Sequence, residues 1–269
     1  MLRCFEIRGV DMKIGIVGCG FVGTAVKEAH KNDTVMINDP KLENSVPLSQ
    51  FFECDAVYIC VPSPQKDNGE CDTSILEEVL RQLTVKVETS IISKVTAPPS
   101  EYERLEKLYP NLVYSPEFLT AANAAEDYVN AQYIIVGGED YRLRYNAAKI
   151  IQSTVVTDDF FLTDIKTASA YKYMMNSYLA MKVTFMNDFY LFAKEQNINW
   201  DSLILFAKND NRIGDTHMTV PGPDGQFGWG GYCFPKDLNA ITNSSNELQL
   251  LKAVIERNET HRNLEKSHD

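Results

Sequence analysis

The segment GWGGYCFPKD at positions 228–237 sets one cysteine, Cys233, on a glycine-rich turn just ahead of Pro235. Proline is favoured in the first turn of a helix, so a helix is expected to begin here. A thiol at that end feels the positive pole of the helix dipole and the nearby Lys236, and both favour the thiolate, the nucleophilic form. Asp237, four residues on, would share a helical face with Cys233. Such a cysteine either attacks an electrophile or is a buried loop thiol with no chemistry. What is bound beside it decides between the two.

A dinucleotide is the expected neighbour. Residues 13–18, KIGIVG, read as a short apolar strand, and Gly18, Gly20 and Gly23 fall in G-C-G-F-V-G ahead of the helical segment TAVKEAHK. The first glycine permits a tight turn, the second lets backbone amides reach a pyrophosphate, and the third lets helix and strand pack closely. A second strand, TVMIND, ends at Asp39, 21 positions after Gly18, where a carboxylate can accept the adenosine ribose hydroxyls. That carboxylate would repel a 2′-phosphate, which favours NAD over NADP, while Lys31 and Lys41 argue weakly the other way. The alternative is a glycine-rich turn that binds nothing.

The elements that must carry these residues alternate along the chain. After the first two strands come 55–62, 90–96, 111–116, 132–138 and 154–159, separated by helical or loop segments such as TSILEEVLRQL and YRLRYNAAKIIQS. Continuous apolar runs suit strands buried on both faces, as in a doubly wound parallel sheet. From Thr163 to about Asn197 there is no proline or glycine, and Ala, Tyr, Met, Leu and Phe recur at helical spacing. A helix apolar on several faces needs partners on more than one side, which points to a helical second domain and a subunit interface. The expected architecture is α/β: a Rossmann-type doubly wound parallel sheet over 1–162, followed by a helical dimerisation domain over 163–269.

Composition narrows the classes. The chain has 269 residues, 44% hydrophobic and 23% charged, room for about two domains. A net charge of −11 with no basic run argues against nucleic acid. No apolar stretch approaches membrane-spanning length. The first eleven residues lack the apolar core of a signal peptide and read as an upstream extension or an alternative start before Met12. The six cysteines show no metal-ligand spacing, so no metal is expected, and they read as reduced thiols of a cytoplasmic protein. Cys19 and Cys60 are expected to pack near the sheet, and His217 reads as an incidental loop histidine.

Several blocks together resemble one family. GCGFVG, VPSP at 61–64, SKVTAPPS at 93–100, SPEFLTAANA at 115–124, KYMMN, RIG at 212–214 and GWGGYCFPKD occur in the order found in the UDP-glucose/GDP-mannose dehydrogenase family and span essentially the whole chain. The resemblance implies four-electron oxidation of a nucleotide-sugar primary alcohol to a carboxylate with two NAD⁺, through a cysteine thiohemiacetal and thioester. UDP-glucose is the expected substrate, polysaccharide biosynthesis the expected context and a cytoplasmic homodimer the expected assembly. By resemblance Cys233 is the nucleophile, Lys172 and Asn176 stabilise oxygen charge, Thr96 and Asp237 orient the hydrolytic water, and Glu117 is the general base. It also implies cofactor contacts from Gly18, Gly20, Phe21, Val22, Gly23, Asp39, Lys41, Pro62, Thr96 and Lys236. Substrate contacts would come from Glu117, Phe118, Leu119, Lys172, Asn176, Gly230 and, across a dimer, Arg212.

The sequence also departs from the family pattern. An acidic-glycine pair after PEFL is Ala121 and Ala122 here, an acidic residue ahead of the helix lysine is Ser169, and the loop from Arg212 to Cys233 is longer than usual. The chain stops where relatives continue into a third, nucleotide-binding domain. Two other readings therefore stand beside the first: an NAD-binding homologue that does not turn over or needs a separate nucleotide-binding subunit, and a two-electron hydroxyacid dehydrogenase in which Cys233 has no covalent role.

Overall fold

The computed structural model describes residues 11–120 and 122–264. Most of the expected leading extension, with Cys4, lies outside them, as does Ala121. The described chain forms two compact units, one running to Lys66 and from Cys71 to Lys172, the other holding Asp67–Glu70 and the chain from Tyr173 onward.

The first unit begins with β1 (Lys13–Val17), α1 (Phe21–Ala29), β2 (Thr34–Asn38), β3 (Ala56–Ile59), α2 (Ser74–Gln82) and β4 (Ser90–Ser93). It continues with α3 (Pro99–Leu108), β5 (Leu112–Tyr114), α4 (Ala124–Val129), β6 (Ile134–Gly137), α5 (Tyr141–Gln152) and β7 (Phe160–Thr163). The strands form one sheet in the order β2-β1-β3-β4-β5-β6-β7. Side chains alternate between its faces. Val17, Val57, Ile59 and Ile91 meet Phe51, Leu76 and Tyr102 on one face, while Ile14, Ile16, Tyr58 and Ile92 meet Val26, Tyr128 and Ala147 on the other. Both faces are covered, which is why these strands read as unbroken apolar runs.

Two details differ from the sequence reading. The sheet is parallel except at one joint, where β6 pairs antiparallel with β5 through Tyr114 and Gly137. The segment between these strands holds the six-residue α4. The last strand is Phe160–Thr163 rather than 154–159. Residues just past α5 instead form a turn, with the Thr154 and Val156 amides donating to the Ile151 and Val129 carbonyls, and Ile134 registers with Phe160.

The second unit is helical. It contains most of α6 (Ile165–Glu195), then α7 (Trp200–Lys208), α8 (Cys233–Ser244) and α9 (Gln249–Arg262). The 31 residues of α6 start in the first unit, where Ile165 and Ala168 join the core. Ala180 on α6, Trp229, Leu238 on α8 and Val254 on α9 make the buried centre of the second unit.

Candidate active site

At the carboxyl end of β1 the three glycines do three different jobs. Gly18 has φ +85°, a left-handed conformation that disfavours any side chain. A Cβ on Gly20 would meet nothing within 4 Å, so the turn is open there, whereas a Cβ on Gly23 would collide with the Gly18 carbonyl. Helix α1 has no side-chain cap and no acidic residue in its first turn, which leaves its N-terminal amides available to an anion. Phe21 and Val22 open that helix. β1 has β2 on one side and β3 on the other, so the turn lies at the topological switch point, where doubly wound folds bind nucleotides.

Asp39 follows β2 and its carboxylate accepts the Cys19 amide at 2.7 Å and the Lys41 amide at 2.9 Å. These backbone bonds, Cys19 first, hold its carboxyl below the ordinary aspartate value, so it is an anion at neutral pH. The loop after β3 carries exposed Pro62. Next to it, Ser63 Oγ donates to the Thr96 carbonyl at 2.8 Å. These groups fit a dinucleotide.

Beyond β5, the segment SPEFL is fastened to the start of α6. Lys172 Nζ donates to the Glu117 carbonyl at 2.5 Å and lies 3.1 Å from its carboxylate, with the Phe118 ring 5.2 Å away. The other carboxylate oxygen of Glu117 accepts the Leu119 amide at 2.8 Å. Ser169, where an acid was expected, is buried and donates to the Ala97 carbonyl at 2.7 Å, tying α6 to the loop that carries Thr96.

In the second unit Asn176 donates to Asp237 Oδ2 at 2.6 Å, and Lys236 Nζ donates to Asp237 Oδ1 at 2.5 Å. All three are buried. Lys236 thus answers the Asp237 charge. Cys233 itself is exposed at the first residue of α8. None of the five described cysteines forms a disulfide, and Cys60 is a half-buried thiol pushed up to about 12 by desolvation.

The turn before Cys233 is held by residues that the sequence reading did not single out. The Asn258 amide brackets Trp229, accepting its N–H at 2.7 Å and donating to its carbonyl at 2.9 Å. Gly228 N–H donates to Asn187 and the Trp229 indole to Thr184. The Arg262 guanidinium lies against Gly230. A cavity of about 480 Å³ lies beside it, lined by Thr216, His217, Trp229, Gly230 and Phe234. His217 is thus a lining residue, and burial, then the Lys182 charge, keep its imidazole below the ordinary histidine value. Lys182 donates to the Ile213 and Gly214 carbonyls at 3.0 and 3.2 Å and so anchors the strip after Arg212. Arg212 is exposed and pairs with Asp210 at 2.6 Å.

No cluster of His, Cys, Asp and Glu among the described residues suits a metal ion. No described helix is long and apolar enough to cross a membrane.

The sheet, its switch-point turn and the helical unit define a nucleotide-dependent oxidoreductase fold. The chain belongs to the UDP-glucose/GDP-mannose dehydrogenase family: residues 33–155 match that family's NAD binding domain and residues 166–260 its central domain. NAD is accordingly the cofactor. The UDP-glucose 6-dehydrogenase of Campylobacter jejuni is 26% identical over 288 residues, covering 92% of this chain and 72% of that protein. The UDP-glucose 6-dehydrogenase of Rickettsia bellii is 32% identical over 219 residues, 76% of this chain. Against that relative and several others this chain spans about half their length. Among solved structures, a UDP-glucose dehydrogenase from Pyrobaculum islandicum superposes with a TM-score of 0.79 at 22% identity, covering 93% of this chain and 68% of that one. A 3-hydroxyisobutyrate dehydrogenase from Mycobacterium tuberculosis superposes with a TM-score of 0.72 at 15% identity, so the fold is shared with that protein.

Proposed function

We propose that this chain oxidises the primary alcohol of a nucleotide-linked hexose, with UDP-glucose as substrate and UDP-glucuronate as product, through covalent catalysis by Cys233. The observation that carries the reading is an exposed thiol at the first residue of α8, on a turn that Asn258, Asn187 and Thr184 hold in place. The net reaction consumes one alcohol, two NAD⁺ and one water, and yields one carboxylate, two NADH and three protons. The dinucleotide supplies the hydride acceptor for both oxidations.

The protein's own groups supply the rest. The Cys233 thiolate adds to the aldehyde carbon to give a thiohemiacetal, and loss of the second hydride leaves a thioester. Water attacks that thioester, Glu117 takes the water's proton, and the thiolate departs. Thr96 and Asp237 orient that water. Each stage places negative charge on one oxygen, which suits the Lys172 ammonium and the Asn176 amide, one turn apart on α6. Glu117 takes two of the three Lys172 donors, and the third suits a substrate oxygen. Gly230, Phe118 and Leu119 line the substrate, and Lys41, Pro62 and Lys236 support the cofactor.

A homodimer is the assembly we propose. Met174, Tyr178, Phe185, Phe189 and Phe192 are all exposed on α6, and at about 100° per residue they fall within one stripe of about 60°. An apolar stripe of that length marks an interaction surface, and in a symmetric pair it would pack on itself and bring Arg212 toward the neighbouring subunit. Cysteines without disulfides suit the cytoplasm.

Stoichiometry tests the chemistry. Two NADH and one uronate per sugar are expected, with Cys233→Ser retaining NAD⁺ binding and losing acid formation. One NADH per substrate with Cys233→Ser fully active would establish the two-electron reading. No NADH from any nucleotide sugar, with tight NAD⁺ binding, would point to a homologue that needs a partner subunit.

A further inference from the structure

The strand ends build a row of side chains at the carboxyl edge of the sheet. Ile59, Ser93 and Tyr114 stand side by side in β3, β4 and β5. The amides of Cys60, Lys94 and Ser115 extend that ladder by one residue, donating to the Val17, Ile59 and Ser93 carbonyls at 2.7, 2.9 and 3.0 Å. Lys94 follows Ile92 by two residues and so points to the face lined by Tyr58 and Tyr128.

That is an unfavourable place for an ammonium. Lys94 is 6% exposed. Its Nζ lies 5.7 Å from the Tyr128 ring, and its hydrogen-bond partner is a hydroxyl, Ser115 Oγ, at 2.9 Å. A buried cation without a carboxylate in contact costs stability that a methionine of similar length would not. The return for that cost is found two residues beyond Ser115, at Glu117.

We propose that Lys94 is a positioning residue for Glu117: its buried ammonium pins Ser115, two residues ahead of Glu117, from within the sheet and sets the potential at the Glu117 carboxylate. Cys60 on the β3 side and Tyr128 on α4 are each pushed up to about 12 by burial and are neutral at working pH. Burial pulls the Lys94 amine down to about 8, and Cys60 and then Glu117 resist that fall. The signal in the sequence is a lysine directly after the apolar strand SIIS, where an aliphatic residue would be ordinary.

The test has an arm that does not need turnover. In protein carrying [ε-¹³C]lysine, the resonance absent from Lys94→Met is that of Lys94, and it is expected to titrate near 8. Glu117→Gln removes the facing anion, so the midpoint should fall by about half a pH unit or more. An unmoved midpoint would overturn the coupling. The kinetic arm rests on the dehydrogenase reading. Lys94→Met should lower kcat about tenfold, with both KM values within about threefold of wild type. Ser115→Ala, which keeps the charge and cuts the hydrogen bond, should lower kcat by less, and it serves if Lys94→Met does not fold. Unchanged kcat in both variants would overturn the positioning role. A wild-type protein that makes no NADH overturns the dehydrogenase reading alone, since the titration arm is read without substrate.

Discussion

Lys94→Met should change stability with a sign opposite to that of most core substitutions. The folded-state amine sits at about 8 against 10.5 for an ordinary lysine. At about 1.4 kcal/mol per pH unit, that gap is worth about 3 kcal/mol. The sign follows from proton counts. Between about 8 and 10.5 the unfolded chain binds the proton that the folded chain has released, so wild-type stability gains from this group as pH rises through that window. Below about 8 both states are charged and the full penalty is present. Methionine removes the penalty at pH 7 but strands the Ser115 hydroxyl, at a cost of about 1–3 kcal/mol. The variant should therefore match or exceed wild type by up to about 2 kcal/mol at pH 7, and lose that advantage by pH 10. Urea unfolding at pH 7, 8, 9 and 10 measures this. Far-UV circular dichroism is the suitable probe, because Trp200 and Trp229 both lie in the other unit. Wild-type and variant stabilities that run parallel across the pH range would refute the reasoning, because the difference must close by about 3 kcal/mol if the ammonium is buried as described.

Two further outcomes are expected. Gly23→Ala should destabilise the chain by about 1–3 kcal/mol, because its Cβ meets the Gly18 carbonyl, and should weaken NAD⁺ binding by tenfold or more; unchanged affinity in calorimetry would remove the turn from the cofactor site. Phe185→Asp combined with Phe189→Asp, on the exposed stripe of α6, should convert a dimer of the 30.4 kDa chain into a monomer by light scattering, whereas a monomeric wild type would dispose of the α6 interface.

Much of the candidate site was legible because its chemistry is local. The turn at Gly18, Gly20 and Gly23 depends on backbone angles and close approaches within one β–α unit, which demand glycine at Gly18 and Gly23 and leave Gly20 open. The start of α8 at Cys233 is likewise written in its own neighbours, Gly228, Gly230 and Gly231 before it and Pro235 after it. Local signals misled at 154–159, where TVVTDD has strand-forming residues but the chain has just left α5 and must turn before β7 can register with β6. The antiparallel joint at β5 and β6 had no local mark, since strand direction follows from the length and packing of the connection.

The sequence by itself determined the doubly wound class and the glycine turn after β1, because periodicity and glycine placement act over a few residues. Tertiary structure decided which charges meet. Lys236 and Asn176 are both found on Asp237, and Lys94 was one letter in SKVTAPPS until the sheet register set it beneath Ser115. The reason is that long side chains reach about 6 Å, farther than the separation of neighbouring strands, so their partners are chosen by register and burial, which no local pattern encodes.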